Sequence, residues 1–202
     1  MCLITFAYNY HPEYRLILAG NRDEFYERPT RPAKFWSEEE YPELLAGKDL
    51  KGGGTWLGVH KDGRWGALTN YRDFSIQKKD PPSRGELVLN YLTSELNGTQ
   101  FLHRISPQAE DYNGFNLLLG DKNGIYHFLN QEKVIRELKP GIHGLSNASL
   151  NTPWPKLKRA NQRLKKLVED DEINKEALFY LLLDEKKAPD EKLPNTGLSH
   201  NM

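Results

Sequence analysis

Two short apolar runs open the chain, residues 2–8 and 14–20, and only Asn9-Tyr10-His11-Pro12-Glu13 separates them. That spacer is long enough for a turn and too short for a crossover helix, so the runs are expected to pair as an antiparallel hairpin. The pattern recurs. Thr55–His60 and Arg64–Thr69 flank Lys61-Asp62-Gly63, an Asp-Gly hairpin signal. Phe115–Gly120, Ile125–Leu129 and Val134–Leu138 read as a meander with a turn at Asp121-Lys122-Asn123-Gly124. Ser83-Arg84-Gly85-Glu86 has capping-box spacing and predicts a helix to about Leu96, with Leu87, Val88, Tyr91 and Leu92 on one face. A second helix is expected from Pro153, with Thr152 as its cap and Trp154, Leu157, Ala160, Leu164 and Leu167 as its buried stripe. Its other face carries Lys156, Lys158, Arg159, Lys165 and Lys166, a charge run that reads as solvated. A third helix is expected over Lys175–Asp184, and residues 26–50 read as irregular and proline-bearing. Hairpins in place of alternating strand and helix imply an α+β fold, with antiparallel sheets and helices packed outside them.

The 202 residues contain no linker-like break, so one domain over 1–197 and a tail at 198–202 are expected; the segment from Leu193 lacks periodicity and reads as mobile. Lys+Arg and Asp+Glu both number 28, so nothing in the charge favours nucleic acid or an anionic membrane surface. No apolar stretch approaches the ~20 residues of a membrane span, and no signal peptide is evident. A single cysteine excludes an internal disulfide and a multi-cysteine metal site, which points to a reducing, cytoplasmic setting. His11, His60, His103, His127, His143 and His200 have no metal-ligand spacing, and no cofactor is expected. Gly52-Gly53-Gly54 precedes a strand, which suits a tight turn or close backbone approach better than a phosphate loop. Trp36, Trp56, Trp65 and Trp154 read as core.

The one cysteine is Cys2. Removal of Met1 leaves a thiol and a free α-amine on one residue. Such an amine titrates near ~7.7–8.0 and a thiol near ~8.5, so proton transfer between them costs little at neutral pH. A side-chain nucleophile served by an N-terminal amine is an established route to covalent catalysis. The competing reading is a small buried hydrophobe in a strand. Asn21-Arg22-Asp23-Glu24 is the densest polar cluster directly after an apolar strand. In a hairpin of 2–8 with 14–20, Arg22 and Asp23 come near Cys2, where the arginine favours a thiolate and the aspartate can hold the amine or thiol. An exposed Arg/Asp turn is the alternative.

Met1-Cys2-Leu3 followed by Asn21-Arg22-Asp23-Glu24 resembles the NRDE-motif, or transport-and-Golgi-organisation, family. Gly53-Gly54-Thr55-Trp56-Leu57-Gly58, Ala67-Leu68-Thr69-Asn70-Tyr71-Arg72, Ser83-Arg84-Gly85-Glu86-Leu87, His143-Gly144-Leu145-Ser146-Asn147 and Thr152-Pro153-Trp154-Pro155-Lys156 look like the same family. The family in turn resembles the cysteine-class N-terminal-nucleophile hydrolases, which include penicillin V acylases and bile-salt hydrolases. The resemblance implies a four-layer αββα sandwich and cleavage of carbon–nitrogen bonds other than peptide bonds. It implies Cys2 as nucleophile, Arg22 and Asp23 as the pair that orients and activates it, and Asn70 and Asn147 as oxyanion donors. Donors of that kind stabilise charge that develops only in the transition state. The family usually continues past the Leu-Pro-Asn-Thr-Gly region into further strands and a Gly-Thr-Arg-Ser-Ser stretch, where the acylases carry a last arginine; this chain, which ends at Met202, is expected to lack them.

The function so implied is hydrolysis or acyl transfer on a non-peptide amide or thioester, with a small-molecule amide, an acyl-CoA or a haem-like molecule as ligand. The alternative from the same resemblance is a non-catalytic lipid, acyl-CoA or haem carrier in which Cys2 is structural. A protein-interaction module using the basic helix face leaves the placement of Cys2 unexplained.

Overall fold

The computed structural model describes residues 2–37, 41–72, 78–184 and 186. Met1 and the 193–202 tail, on which expectations were placed above, lie outside them. The described residues gather into two compact units: those within 1–23, 72–74 and 139–202 form one, and those within 24–71 and 75–138 form the other.

In the first unit, β1 (Leu3–Tyr8) pairs antiparallel with β2 (Leu16–Asn21), as the short spacer requires, in the register Leu3↔Asn21 to Tyr8↔Leu16. On its other side β1 pairs with β10 (Gly141–Leu145), from Ile4↔Leu145 to Tyr8↔Gly141, giving the order β10-β1-β2. Leu3, Ala7 and Ile17 meet Leu157, Ala160, Leu164 and Val168 of α3 (Pro155–Glu169) and Leu181 of α4 (Lys175–Leu182). Strand β10 comes close to α3 because residue 144 is glycine: a Cβ there would lie 2.5 Å from Leu157 and Asn161 side-chain atoms. Thr152 does not cap α3. Trp154 occupies the cap position with Pro155 in the first turn, and the Thr152 hydroxyl donates to the Ser149 carbonyl at 2.7 Å within the preceding turn. Asn174 caps α4 by accepting from the Ala177 N–H at 2.8 Å.

The second unit holds a seven-stranded antiparallel sheet in sequential order: β3 (Thr30–Trp36), β4 (Tyr41–Asp49), β5 (Leu57–His60), β6 (Trp65–Asn70), β7 (Phe115–Gly120), β8 (Ile125–Leu129) and β9 (Val134–Glu137). The region expected to be irregular therefore contains two paired strands. Pro32 disguised the first; β3 is an edge strand, where a missing N–H is tolerated, and its register with β4 shifts between Arg31 and Lys34, around the proline. On one face Leu44, Leu68, Leu117, Leu119 and Phe128 pack against Leu87, Val88, Tyr91 and Leu92 of α1 (Gly85–Leu92) and Phe101, Leu102 and Ile105 of α2 (Gly98–Ile105).

Helix α1 stops at Leu92, and Ser83 makes no side-chain cap; its carbonyl accepts the Glu86 N–H. The Glu86 carboxylate is engaged by the Tyr112 hydroxyl at 2.5 Å. The start of α1 is set instead by glycine contact. A Cβ on Gly54 would lie 2.3 Å from the Gly85 carbonyl carbon, and the Thr55 N–H donates to the Gly85 carbonyl. The glycine run is thus a close backbone approach. The capping box of this unit belongs to α2, where Asn97 Oδ1 accepts from the Gln100 N–H and Gln100 Oε1 accepts from the Asn97 N–H. The expected class, α+β with antiparallel sheets and helices packed on them, is the one observed.

Candidate active site

The ends of β1, β2 and β10 bring three of the expected site residues to one place. Continued one step beyond Leu3↔Asn21 and two steps beyond Ile4↔Leu145, the registers set Cys2 opposite Arg22 on one side and opposite Asn147 on the other. Strand alternation decides the face. Leu3, Ala7 and Ile17 point to α3 and α4, as does Thr5, whose hydroxyl donates to Asn161 Oδ1 at 2.8 Å. Cys2, Arg22 and Asn147 are in phase with the other face, that of Phe6 and His143, whose rings stack at 5.3 Å. A thiol, a guanidinium and an amide thus share one end of one sheet face.

Cys2 is half-buried and lies just outside β1. The β1–β10 ladder stops at Ile4↔Leu145, and a side chain takes over: Ser146 Oγ donates to the Cys2 carbonyl at 2.7 Å. Ser146 and Asn147 are 5% and 3% exposed. The Asn147 carbonyl accepts the Arg72 N–H at 2.9 Å, which holds the turn after β10 from a second direction. Asp23 forms an ion pair with Lys156 of α3, Oδ2 to Nζ at 3.6 Å. Lys156 therefore does not belong to a simple solvated face, and neither does Arg159, which donates to Asp184 Oδ2 at 2.6 Å. Burial pushes the Asp184 carboxyl up, but the hydrogen bond from Arg159, the Lys186 N–H and the nearby guanidinium charges outweigh it, and the group sits below its ordinary range.

Asn70 ends β6 in the other unit, opposite Phe115, and is exposed. His143 is held structurally: Nε2–H donates to the Lys139 carbonyl at 2.8 Å, which leaves Nδ1 to accept from Asn151 Nδ2 at 3.2 Å. Ser146 received no role from the sequence, although it lies inside a recognised motif; its signal is adjacency to Asn147, and its partner is 144 residues away. A separate cavity of about 380 Å³ in the second unit is lined by Leu87, Asn90, Phe101, Arg104 and Tyr112 among others, and by none of the expected site residues. Among the described residues no group of three or more His, Cys, Asp or Glu is arranged to hold a metal ion, and no helix is long and apolar enough to cross a membrane.

The fold, antiparallel sheets with helices packed on them, is shared with a solved acid amidase structure. The structure superposes on the Caenorhabditis elegans ortholog of N-acylethanolamine-hydrolyzing acid amidase with a TM-score of 0.65 at 11% identity, covering 97% of this chain and 95% of that one. The family model for Transport and Golgi organisation 2 matches residues 1–202, and the chain belongs to that family. It is 41% identical to the Transport and Golgi organization 2 homolog of Mus musculus and 39% identical to that of Homo sapiens, in each case over 98% of this chain and 76% of the relative. The Drosophila melanogaster protein is 28% identical over 84% of this chain and 65% of its own length.

Proposed function

We propose that the protein is an N-terminal cysteine hydrolase or acyltransferase acting on a non-peptide amide or thioester. The observation that carries this reading is the convergence of Cys2, Arg22 and Asn147 at one end of the β10-β1-β2 sheet, in a fold shared with an acid amidase. Once Met1 is removed, the α-amine of Cys2 takes the thiol proton and Sγ attacks the carbonyl carbon. Arg22 favours the thiolate, and the Asn147 amide donates to the oxyanion. The bond to the leaving amine or thiol breaks as the ammonium returns its proton to that group. Water then cleaves the thioester on Cys2, or an acceptor nucleophile takes the acyl group. Asp23, tied to Lys156, steadies the turn that carries Arg22. Asn70, implied as a second donor, lies in the other unit, and the proposal is built on the first unit alone. A reducing compartment such as the cytoplasm suits a lone free thiol.

The test uses full-length protein whose intact mass shows Met1 removed. It is incubated with S-phenyl thioacetate and, separately, with an N-acylethanolamine, the substrate class in the structural neighbour's name. The expected result is an acyl adduct mapped to Cys2 and turnover that Cys2→Ala abolishes. Turnover that survives Cys2→Ala overturns the reading; a correctly processed protein that forms no adduct but binds acyl-CoA or haem speaks for the carrier.

A further inference from the structure

The Ser146 hydroxyl donates to the backbone carbonyl of Cys2. The bond is short, 2.7 Å, and Ser146 is 5% exposed, so water competes poorly for the carbonyl. Its position has a chemical consequence. A residue at the start of a chain has no preceding peptide bond, so its orientation is governed by ψ and χ1 alone. Holding its carbonyl holds the plane of the Cys2–Leu3 peptide and with it the Cys2 Cα, from which the α-amine and the thiol both branch. The amine is the general base of the proposed reaction, and it serves the thiol only when directed toward it. On the β10 side the ladder does not reach Cys2, because its last pair is Ile4↔Leu145, and on the β2 side it ends at Leu3↔Asn21.

We infer that Ser146 is a positioning residue for the N-terminal nucleophile, holding the Cys2 carbonyl so that α-amine and thiol are presented together at the site. The inference rests on the hydrolase reading above. It gives the two halves of Ser146-Asn147 separate work: the asparagine faces the substrate carbonyl, and the serine holds the attacking residue from behind. Ser146 is anchored by the β10 strand before it and by the Arg72 N–H on the Asn147 carbonyl after it, so the donor is held on a rigid turn. Misplacing an attacking group by about 1 Å can cost roughly 10²-fold in rate.

The experiment is pre-steady-state acylation of the full chain, Met1 removed, by p-nitrophenyl acetate, with the burst of nitrophenolate read for rate and amplitude. Ser146→Ala is expected to slow the burst by about 10- to 100-fold while leaving its amplitude near one per chain, because amplitude counts intact sites and rate reports their geometry. Loss of fold alone lowers amplitude. Should Ser146→Ala not fold, the near-isosteric pair Ser146→Thr and Ser146→Val decides: the hydroxyl variant is expected to react at least 10-fold faster than the methyl variant. Equal burst rates in that pair, or an unchanged rate in Ser146→Ala, overturn the inference while Cys2→Ala still abolishes the burst. A burst that persists in Cys2→Ala overturns the hydrolase reading itself, and this inference with it.

Discussion

The two units use antiparallel sheets for opposite ends. In the second, polar groups on the sheet face are retained inside and satisfy one another. Asn116 Nδ2 donates to the Thr69 hydroxyl at 3.4 Å, which leaves Asn116 Oδ1 to accept from His127 Nε2–H at 2.9 Å; all three residues are buried. Among the described residues His127 Nδ1 has no hydrogen-bond partner, and burial, with a smaller contribution from Arg136, lowers the imidazole pKa to about 4. In the first unit the notable polar groups sit where the strands end, on Cys2, Arg22, Ser146 and Asn147. The difference teaches that a sheet interior locks a polar chain into one protonation state. The frayed end of a ladder leaves backbone groups that side chains can capture and direct.

Substitutions in the two regions should therefore separate stability from chemistry. Phe128→Ala, at a fully buried site among Phe115, Leu117 and the α1 and α2 side chains, should cost about 3–5 kcal/mol by urea titration, with the burst rate of the surviving folded protein unchanged. A slowed burst would break the separation. Asn147→Ala should do the reverse in kinetics, lowering the burst rate about 10²- to 10³-fold with amplitude kept.

The buried histidine gives a pH signature. His127 is neutral in the fold down to about pH 4, whereas in the unfolded chain it takes a proton near its ordinary value of 6.5. Between those values the unfolded state binds the extra proton. Stability is thus complete above pH 6.5 and falls with pH, by about 3 kcal/mol in total at pH 4. The carboxyls of Asp49 and Asp184 sit below their ordinary value of 3.8, so their share is lost at lower pH and does not blur this window. At Asp49 burial opposes the shift, and Arg28 with the Gly52 and Lys51 N–H groups prevails. His127→Leu should flatten the fall between pH 6.5 and 4; a slope that survives it places the proton elsewhere. The smallest effect belongs to the exposed pair Lys165–Glu169, one turn apart on α3 at 3.6 Å. Lys165→Ala should change stability by only about 0.3–0.5 kcal/mol, and less in high salt.

Much of this architecture was legible in local sequence. The hairpin of β1 and β2, the meander of β7, β8 and β9, and the stripe of α3 each follow from apolar spacing and turn residues. The β3–β4 pair was hidden because Pro32 and the polar residues of an edge strand read locally as loop. Helix α2 is not among the sequence expectations, although Asn97 and Gln100 carry its capping box.

The sequence by itself determined the chemistry on offer: one thiol at position 2, an Arg-Asp pair after a strand, and two asparagines in recognisable motifs. It also determined that the first two strands pair, because five residues allow little else. Only the tertiary structure decided that β10, some 120 residues downstream of β2, takes the other side of β1, and so that Asn147 is set opposite Cys2. It alone gave Lys156 to Asp23 and the Ser146 hydroxyl to the Cys2 carbonyl. The reason is physical. Periodicity and turn preference act over a few residues, whereas sheet order is chosen by which distant apolar faces can be buried together, and that choice brings the polar strand ends side by side.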